Sequence, residues 1–192
     1  MSEPVSALNG RSASGAAIVT ELGLRGMITI RGDLSHVDVK NAVTGVTGVD
    51  FPGQRGVNSV GERGAAWMSP DEILILVPHA EAETVVATLT AALAGHHALV
   101  VNVSDARAMF RISGPGAREV IAKGAPVDMD PAHFAPGTIR RSRLGQIAAA
   151  FWVNGDDGSI DVICFRSVAQ FVFDWLAMAA REGSLPGYFP DQ

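Results

Sequence analysis

The sequence predicts an α+β protein made of two related halves, each with an antiparallel sheet covered by helices. Strand-like and helix-like segments alternate along the 192-residue chain, and the same order of segments occurs twice. Residues 27–32 resemble residues 109–114, 82 positions later, and residues 73–94 match residues 160–181 at an offset of 87. Each half therefore has the order strand, helix, hairpin, helix, which lets the helices bury one face of each sheet.

The first half follows a segment rich in Ser, Ala and Gly at residues 1–23, which we interpret as an N-terminal arm. Alternating apolar residues predict a strand at 26–31. Val39, Val43 and Val46 then have the spacing of one helix face, with Ser35 as the predicted cap. The remaining predictions for this half are a glycine-rich loop at 45–64, strands at 65–68 and 73–77, a helix over 79–94 and a strand at 99–103.

The second half repeats this order from a strand at 109–113. A helix is expected from Pro115 to a stop at Gly124, because Pro suits the first helical position. Ser167 and Gln170 have the spacing of a capping box that opens the last helix. The other predictions are a loop at 125–138, strands at 144–153 and 159–165 joined by a turn at 154–158, and a buried helix stripe of Phe171, Val172, Trp175, Leu176 and Ala179.

These elements predict one domain over residues 24–182, made of halves 24–104 and 105–182, and a C-terminal tail at 183–192. Charged residues make up only 18% of the chain, below the ~25% typical of soluble domains. Fewer charges are then available to cover the surface, so we expect some apolar surface to contact another protein.

Charge and composition exclude several functional classes. The net charge of −5 argues against nucleic acid as a partner. The single cysteine, Cys164, excludes an internal disulfide and a multi-cysteine zinc site. The N-terminus has no apolar signal region, and no apolar run approaches the ~20 residues that span a bilayer. We therefore expect a cytoplasmic protein that does not enter the membrane.

The sequence contains no pattern typical of a catalytic, cofactor-binding or metal site. Gly114-Pro115-Gly116 opens a helix but departs from the dinucleotide-binding motif at Glu119, so it is interpreted as a strand-to-helix turn. We assign His36 and Asp38 to helix polarity and the adjacent pair His96 and His97 to a solvated loop. The acidic residues Asp156, Asp157 and Asp161 fit a hairpin better than a calcium loop, because the EF-hand spacing is missing.

Two features are candidates for contact with a partner. Arg140, Arg141 and Arg143 form the densest basic cluster and could bind an anionic group or a carboxylate-rich protein. A solvated strand edge is the alternative interpretation of these arginines. Tyr188 and Phe189 lie in the apolar tail, where they could dock on another surface or fold back on the chain's own core.

Several segments of the chain resemble one protein family. They are residues 110–124, residues 143–146 (Arg-Leu-Gly-Gln), and residues 67–72 (Trp-Met-Ser-Pro-Asp-Glu). In these segments the chain is similar to the gamma subunit of heterotetrameric sarcosine oxidase, and the likeness extends over roughly residues 20–182.

The resemblance implies a fold related to the folate-binding domain of aminomethyltransferases. It also implies a complex with alpha, beta and delta subunits, alpha most directly, that demethylates sarcosine to glycine. Flavins and NAD are then expected on the alpha and beta subunits, folate on alpha and zinc on delta, with no cofactor in this chain. We expect a non-catalytic structural subunit, which agrees with the lack of a catalytic pattern.

Two alternatives stay open. The first is a stand-alone folate-binding or one-carbon transfer protein, in which the arginine cluster could face a glutamyl carboxylate. Residues 143–146 lack the Cys of the Lys-Gly-Cys-Tyr type of motif found in related folate-binding iron–sulfur repair proteins. The second alternative is a scaffold that has kept the fold and serves another flavoenzyme.

Overall fold

The computed structural model describes residues 3–155 and 157–189, and these form two compact units. The central unit is Leu24–Asp105, and the C-terminal unit combines Met1–Gly23 with Ala106–Gln192. The border after Asp105 lies one residue from the boundary predicted between the halves. Among the described residues, no helix is both long enough and apolar enough to span a bilayer.

Eleven strands and four helices follow one another along the described residues. Short 3-10 turns precede the second and fourth helices. In chain order the elements are β1 (Ser12–Ser14), β2 (Ile18–Glu21), β3 (Gly26–Arg31), α1 (Val37–Thr47), β4 (Val57–Val60), β5 (Arg63–Ser69), β6 (Glu72–Val77), α2 (Ala82–Ala92), β7 (Leu99–Asn102), β8 (Arg107–Ser113), α3 (Ala117–Ala122), β9 (Ile139–Leu144), β10 (Ile147–Val153), β11 (Ile160–Phe165) and α4 (Ala169–Ala179).

The central unit is an antiparallel five-stranded sheet in the order β4-β5-β6-β3-β7, packed against α1 and α2. Every second residue of β3 and β6 faces the helices, as the two-residue period of a strand requires. Apolar residues spaced three and four positions apart bring the helices onto this face. The main core residues are Ile28, Ile30, Val39, Val43, Ile73, Ile75, Val85 and Leu89.

The C-terminal unit is an antiparallel six-stranded sheet in the order β1-β2-β8-β11-β10-β9, packed against α3 and α4. Its core contains more aromatic residues than that of the central unit, including an edge-to-face pair of Phe134 and Phe151 with ring centres 5.9 Å apart. The main core residues are Val19, Phe110, Ile112, Val120, Ile121, Phe134, Phe151, Val162, Phe173 and Leu176.

The predicted duplication is confirmed. Strand order β9-β10-β11-β8-β2 in the C-terminal unit corresponds to β4-β5-β6-β3-β7 in the central unit. The equivalent of β7 in the second sheet is β2, which comes from the segment predicted as an N-terminal arm. Residues 18–21 pair with β8 from Ile18 opposite Ser113 to Glu21 opposite Phe110. The N-terminal segment thus supplies two strands, β1 and β2, and part of the core.

The last helix differs from its prediction in two respects. The expected capping box is wrong, because residues Arg166–Val168 form a 3-10 turn and the helix that follows has no side-chain cap. Gln170 instead donates a hydrogen bond to Asp174. The buried stripe contains Phe173 (2% exposed), whereas Phe171 is 53% exposed. Sequence spacing therefore identified the helix but selected the wrong phenylalanine for the core.

Candidate functional site

The three arginines of the predicted cluster lie on β9, an edge strand of the six-stranded sheet. Arg140 donates a hydrogen bond to the carbonyl oxygen of His133, and its guanidinium lies 5.1 Å from the centre of the Phe134 ring. Arg141 and Arg143 are exposed and, two residues apart, share one face of the strand. Two guanidinium groups on one face of an edge strand are suited to binding carboxylates.

The tail folds back over α3. The backbone N–H groups of Gly187 and Phe189 donate to the two carboxylate oxygens of Glu119, at 2.8 and 3.1 Å. Phe189 is half-buried against the core of the C-terminal unit, while Tyr188 is 76% exposed. The two rings meet edge to face with centres 4.9 Å apart. Phe189 therefore contacts the chain's own core, and Tyr188 presents its ring to solvent.

The turn between β8 and α3 is closed by the chain itself. Gly114 has φ 96°, a conformation that favours glycine. A Cβ added at Gly116 would lie 2.7 Å from both the carbonyl oxygen of Ala16 and a methyl group of Leu185. The helix that follows has only six residues. The interpretation of this segment as a strand-to-helix turn is confirmed, and its N-terminus is occupied by neighbouring chain.

Buried reactive side chains in the C-terminal unit serve structural contacts. Arg111 donates two hydrogen bonds, 2.7 and 2.8 Å long, to both oxygens of the buried Asp161 on the adjacent strand. Asp157 accepts a hydrogen bond from the backbone of Ser159, and Asp156 lies outside the described residues. Burial raises the pKa of Cys164 to about 12, so this thiol is protonated and unreactive at neutral pH.

The structure brings His96, which the sequence predicts in a solvated loop, to the pair His36 and Asp38 at the start of α1. His36, Asp38 and His96 each offer one ligand atom, and these atoms lie within 4.8 Å of one another. His36 is the N-cap of α1, and His96 lies in the loop between α2 and β7. Within residues 3–155 and 157–189, this is the one group of three side chains suited to hold a metal ion.

An apolar surface lies on the outward side of α4. Phe171 and Met178, two turns apart, are 53% and 51% exposed, and Asp174 lies between them on the same side. We call these three residues the α4 outer face. Two large exposed apolar side chains on one face of a helix are typical of a surface that contacts another protein.

Residues 31–182 match the model of the sarcosine oxidase, gamma subunit family. The chain belongs to this family. It is 29% identical over 180 residues to the sarcosine oxidase subunit gamma of Arthrobacter sp., covering 91% of this chain and 85% of that protein. It is 28% identical over 170 residues to the subunit gamma of Corynebacterium sp. strain U-96, covering 88% and 78%. The resemblance inferred from residues 67–72, 110–124 and 143–146 is therefore confirmed.

Solved structures show the same fold as this gamma-family chain. A chain of the heterotetrameric sarcosine oxidase from Corynebacterium sp. U-96, in complex with pyrrole 2-carboxylate, superposes with a TM-score of 0.77 at 24% identity. That match covers 88% of this chain and 87% of the other. The glycine cleavage system aminomethyltransferase T from Bartonella henselae matches with a TM-score of 0.65 at 12% identity, covering 88% and 48%. The predicted relation to the aminomethyltransferase fold is confirmed.

Proposed function

We propose that this chain is a non-catalytic structural subunit of a heterotetrameric sarcosine oxidase, which oxidatively demethylates sarcosine to glycine. Membership in the gamma subunit family over residues 31–182 carries the proposal. The match to a chain of a heterotetrameric sarcosine oxidase supports it, because it spans most of both chains. A shared whole domain indicates a shared place in an assembly more strongly than a shared motif would.

The partners in this proposal are the alpha, beta and delta subunits, with alpha in the most direct contact. In this proposal flavins and NAD are bound by the alpha and beta subunits, folate by alpha and zinc by delta. The use of buried polar groups in this chain supports a structural role. Glu119 holds the tail, Asp161 binds Arg111, and the buried Arg118 donates to two backbone carbonyl oxygens of the loop at 125–138.

The partner contact in this proposal includes Arg141, Arg143, Tyr188 and the α4 outer face. The two arginines supply charge, and the exposed rings supply apolar area that a second protein can cover. Arg140 and Phe189 contribute less, since both already contact residues of their own unit. The low proportion of charged residues agrees with a surface that is covered in an assembly.

Co-purification tests the subunit assignment. The tagged chain is co-expressed with its alpha, beta and delta partners, and the eluate is assayed for flavin absorbance and sarcosine-dependent peroxide formation. We expect a yellow, active complex. The control omits only this chain and retrieves alpha through a tag of its own. A colourless eluate from cells that oxidise sarcosine would overturn the proposal.

A charge-reversal pair tests the contact surface. The double variant Arg141→Glu, Arg143→Glu should reduce the yield of complex at least about tenfold, because it places like charges against the partner's carboxylates. The double variant Lys40→Glu, Arg55→Glu, at exposed positions of the central unit outside the proposed contact, is the matched control and should leave the yield unchanged. Equal yields for both variants would remove the arginines from the interface.

Calorimetry with tetrahydrofolate tests the stand-alone alternative. The aminomethyltransferase-like fold motivates it. We expect no heat from the isolated chain. Saturable heat would favour a folate-binding protein over a purely structural subunit.

A further inference from the structure

The topology of the central unit brings His36, Asp38 and His96 to one end of its sheet. β3 and β7 are antiparallel neighbours with Arg31 opposite Leu99, so the residues after β3 meet the residues before β7. Gly32 allows this approach, since a Cβ there would lie 3.2 Å from the carbonyl oxygen of His97. A Cβ at position 32 would require the backbone at His97 and Ala98 to shift by a few tenths of an ångström.

The three side chains are close enough to share one ion. Asp38 Oδ2 lies 3.0 Å from His96 Nε2 and 3.6 Å from His36 Nδ1. The two imidazole rings meet edge to face with centres 4.4 Å apart. The backbone of His96 is held by two 2.9 Å hydrogen bonds, from its N–H to Leu93 and from Ala98 to its carbonyl oxygen. The donors therefore come from two separate segments that the fold holds together.

His36 offers a nitrogen lone pair to a metal ion. Its Nδ1 accepts a hydrogen bond from the backbone N–H of Asp38 at 3.2 Å, and an ion bound at this nitrogen replaces that capping contact, leaving the N–H to water. Metal ions bind the neutral imidazole through such a lone pair. The side chains are partly accessible, with exposures of 43% for His36, 50% for Asp38 and 26% for His96, so an ion can enter from solvent.

We propose that His36, Asp38 and His96 form a site for a divalent transition metal, Zn²⁺ above all, with its fourth position open to water. Two imidazoles and one carboxylate are a ligand set that Zn²⁺ prefers. Zn²⁺ binds N and O donors at about 2.0–2.2 Å, which places tetrahedral ligand atoms about 3.4 Å apart. The ligand atoms now lie within 4.8 Å of one another, so the most distant pair must approach by up to about 1.4 Å to reach that geometry. A bound ion fastens the start of α1 to the loop before β7.

Local charge also favours a cation. The positive N-terminal end of the α1 dipole repels a cation, but the negatively charged carboxylate of Asp38 lies directly in the site. This site departs from the expectation that the chain holds no metal, and it is separate from the zinc proposed for the delta subunit.

Metal titration of the untagged full-length chain, first stripped with a chelator, tests the site. Zn²⁺ binding is measured by calorimetry, and Co²⁺ binding by the visible absorption bands of a tetrahedral complex. We expect about one ion per chain and a rise in the thermal unfolding midpoint on addition of Zn²⁺. His96→Ala and Asp38→Asn should each weaken binding at least about tenfold. Circular dichroism checks that both variants are folded.

Two control variants remove histidines outside the cluster. His97→Ala changes the exposed neighbour of His96, and His133→Ala removes the exposed pair that His133 forms with Asp128. Both should bind Zn²⁺ like the unmodified chain. The proposal is overturned if the unmodified chain binds no Zn²⁺, or if His96→Ala and Asp38→Asn bind as tightly as the controls. In that case Asp38 and His96 form an ordinary surface contact.

Discussion

At the scale of single residues, Glu119 has a role that its sequence context does not reveal. In the sequence it is the residue that departs from a glycine motif. In the structure its side chain is 5% exposed and both oxygens accept hydrogen bonds from the tail. Because a buried carboxylate needs such partners, the tail and Glu119 depend on each other.

Glu119→Gln should loosen the tail. The amide nitrogen cannot accept a hydrogen bond, so one of the two backbone N–H groups loses its partner. We expect the free energy of unfolding to fall by about 1–3 kcal/mol and the amides of Gly187 and Phe189 to exchange faster. Hydrogen exchange and urea denaturation measure the two effects. Glu182→Gln, at an exposed position beside the tail, is the control. Unchanged exchange in Glu119→Gln would show that the tail is held by Phe189 packing alone.

Cys164 should be protected from thiol reagents in the native protein. Burial raises its pKa to about 12, so the unreactive thiol form persists through neutral and mildly alkaline pH, and the thiolate appears only as the pH approaches that value. We expect negligible labelling at pH 8 in buffer and full labelling in denaturant. An aromatic disulfide reagent measures the labelling through the absorbance of the thiolate that it releases. Rapid labelling of the folded chain would contradict the burial of β11.

The roles of residues were predictable where they depend on neighbours in sequence. They were not predictable where they depend on contacts between segments that are far apart in sequence. The assignment of His36 and Asp38 to the start of α1 is correct, because helix polarity is a local feature, but the predicted cap, Ser35, is wrong, since the side chain of His36 caps the helix one residue later. The approach of His96 to Asp38 depends on β3 lying beside β7, which no local pattern indicates. The contact of Glu119 with the tail joins residues 68 and 70 positions apart and was equally hidden.

At the scale of elements, buried strands were predicted better than edge strands. Every residue of β6 is buried, so its apolar run at 73–77 stands out in the sequence. β4 was assigned to a loop, since its outer residues Ser59 and Val60 are exposed and give no alternation. The strand predicted at 144–153 omits most of β9, because the three arginines of β9 hide the alternation of apolar residues. Edge strands face water on more sides, which removes the apolar signal.

The register of α4 gives a prediction that separates two neighbouring phenylalanines. Phe173 lies in the core, with Phe110 at 6.4 Å between ring centres and the guanidinium of Arg11 4.6 Å from its own ring centre. Phe173→Ala should lower the free energy of unfolding by about 3–5 kcal/mol, because it leaves a large cavity. Phe171→Ala, on the α4 outer face, should cost less than about 1 kcal/mol. Urea denaturation measures both, and equal losses would contradict the described register.

At the scale of the whole molecule, duplication explains the topology but not the origin of one strand. Each sheet contains five strands that are equivalent to those of the other sheet and lie in the same order. The central unit takes its last strand, β7, from the chain that follows α2, whereas the C-terminal unit takes β2 from the N-terminal segment. The repeat is visible in the sequence from residues 27–32 and 109–114. β2 is short and its residues Ile18 and Thr20 are not buried, so the sequence does not indicate its place in the sheet.

The stability of the C-terminal unit should therefore depend on residues far away in sequence. Gly15 lies against the end of α4, and a Cβ there would be 2.1 Å from the carbonyl oxygen of Ala180. Gly15→Ala must displace backbone, and removal of residues 2–22 eliminates β2 and the buried Val19 altogether. We expect both changes to lower the urea midpoint reported by Trp152 and Trp175 fluorescence, and the deletion to lower the free energy of unfolding by more than about 2 kcal/mol. Trp67 in the central unit is replaced by Phe in every sample so that it does not contribute.

Two matched changes control for length and for the added methyl group. Removal of residues 2–4 alone leaves β1 and β2 intact and should not shift the midpoint. Gly45→Ala adds a methyl group at an exposed helical position with nothing within 4 Å, so it should stabilise the chain by about 0.5–1 kcal/mol. If the longer deletion unfolds at the same urea concentration as the shorter one, β8 does not need β2 as its neighbour. The N-terminal segment would then be an arm of the kind that its composition predicts, and the second sheet would be stable with four of the five strands that the two units share.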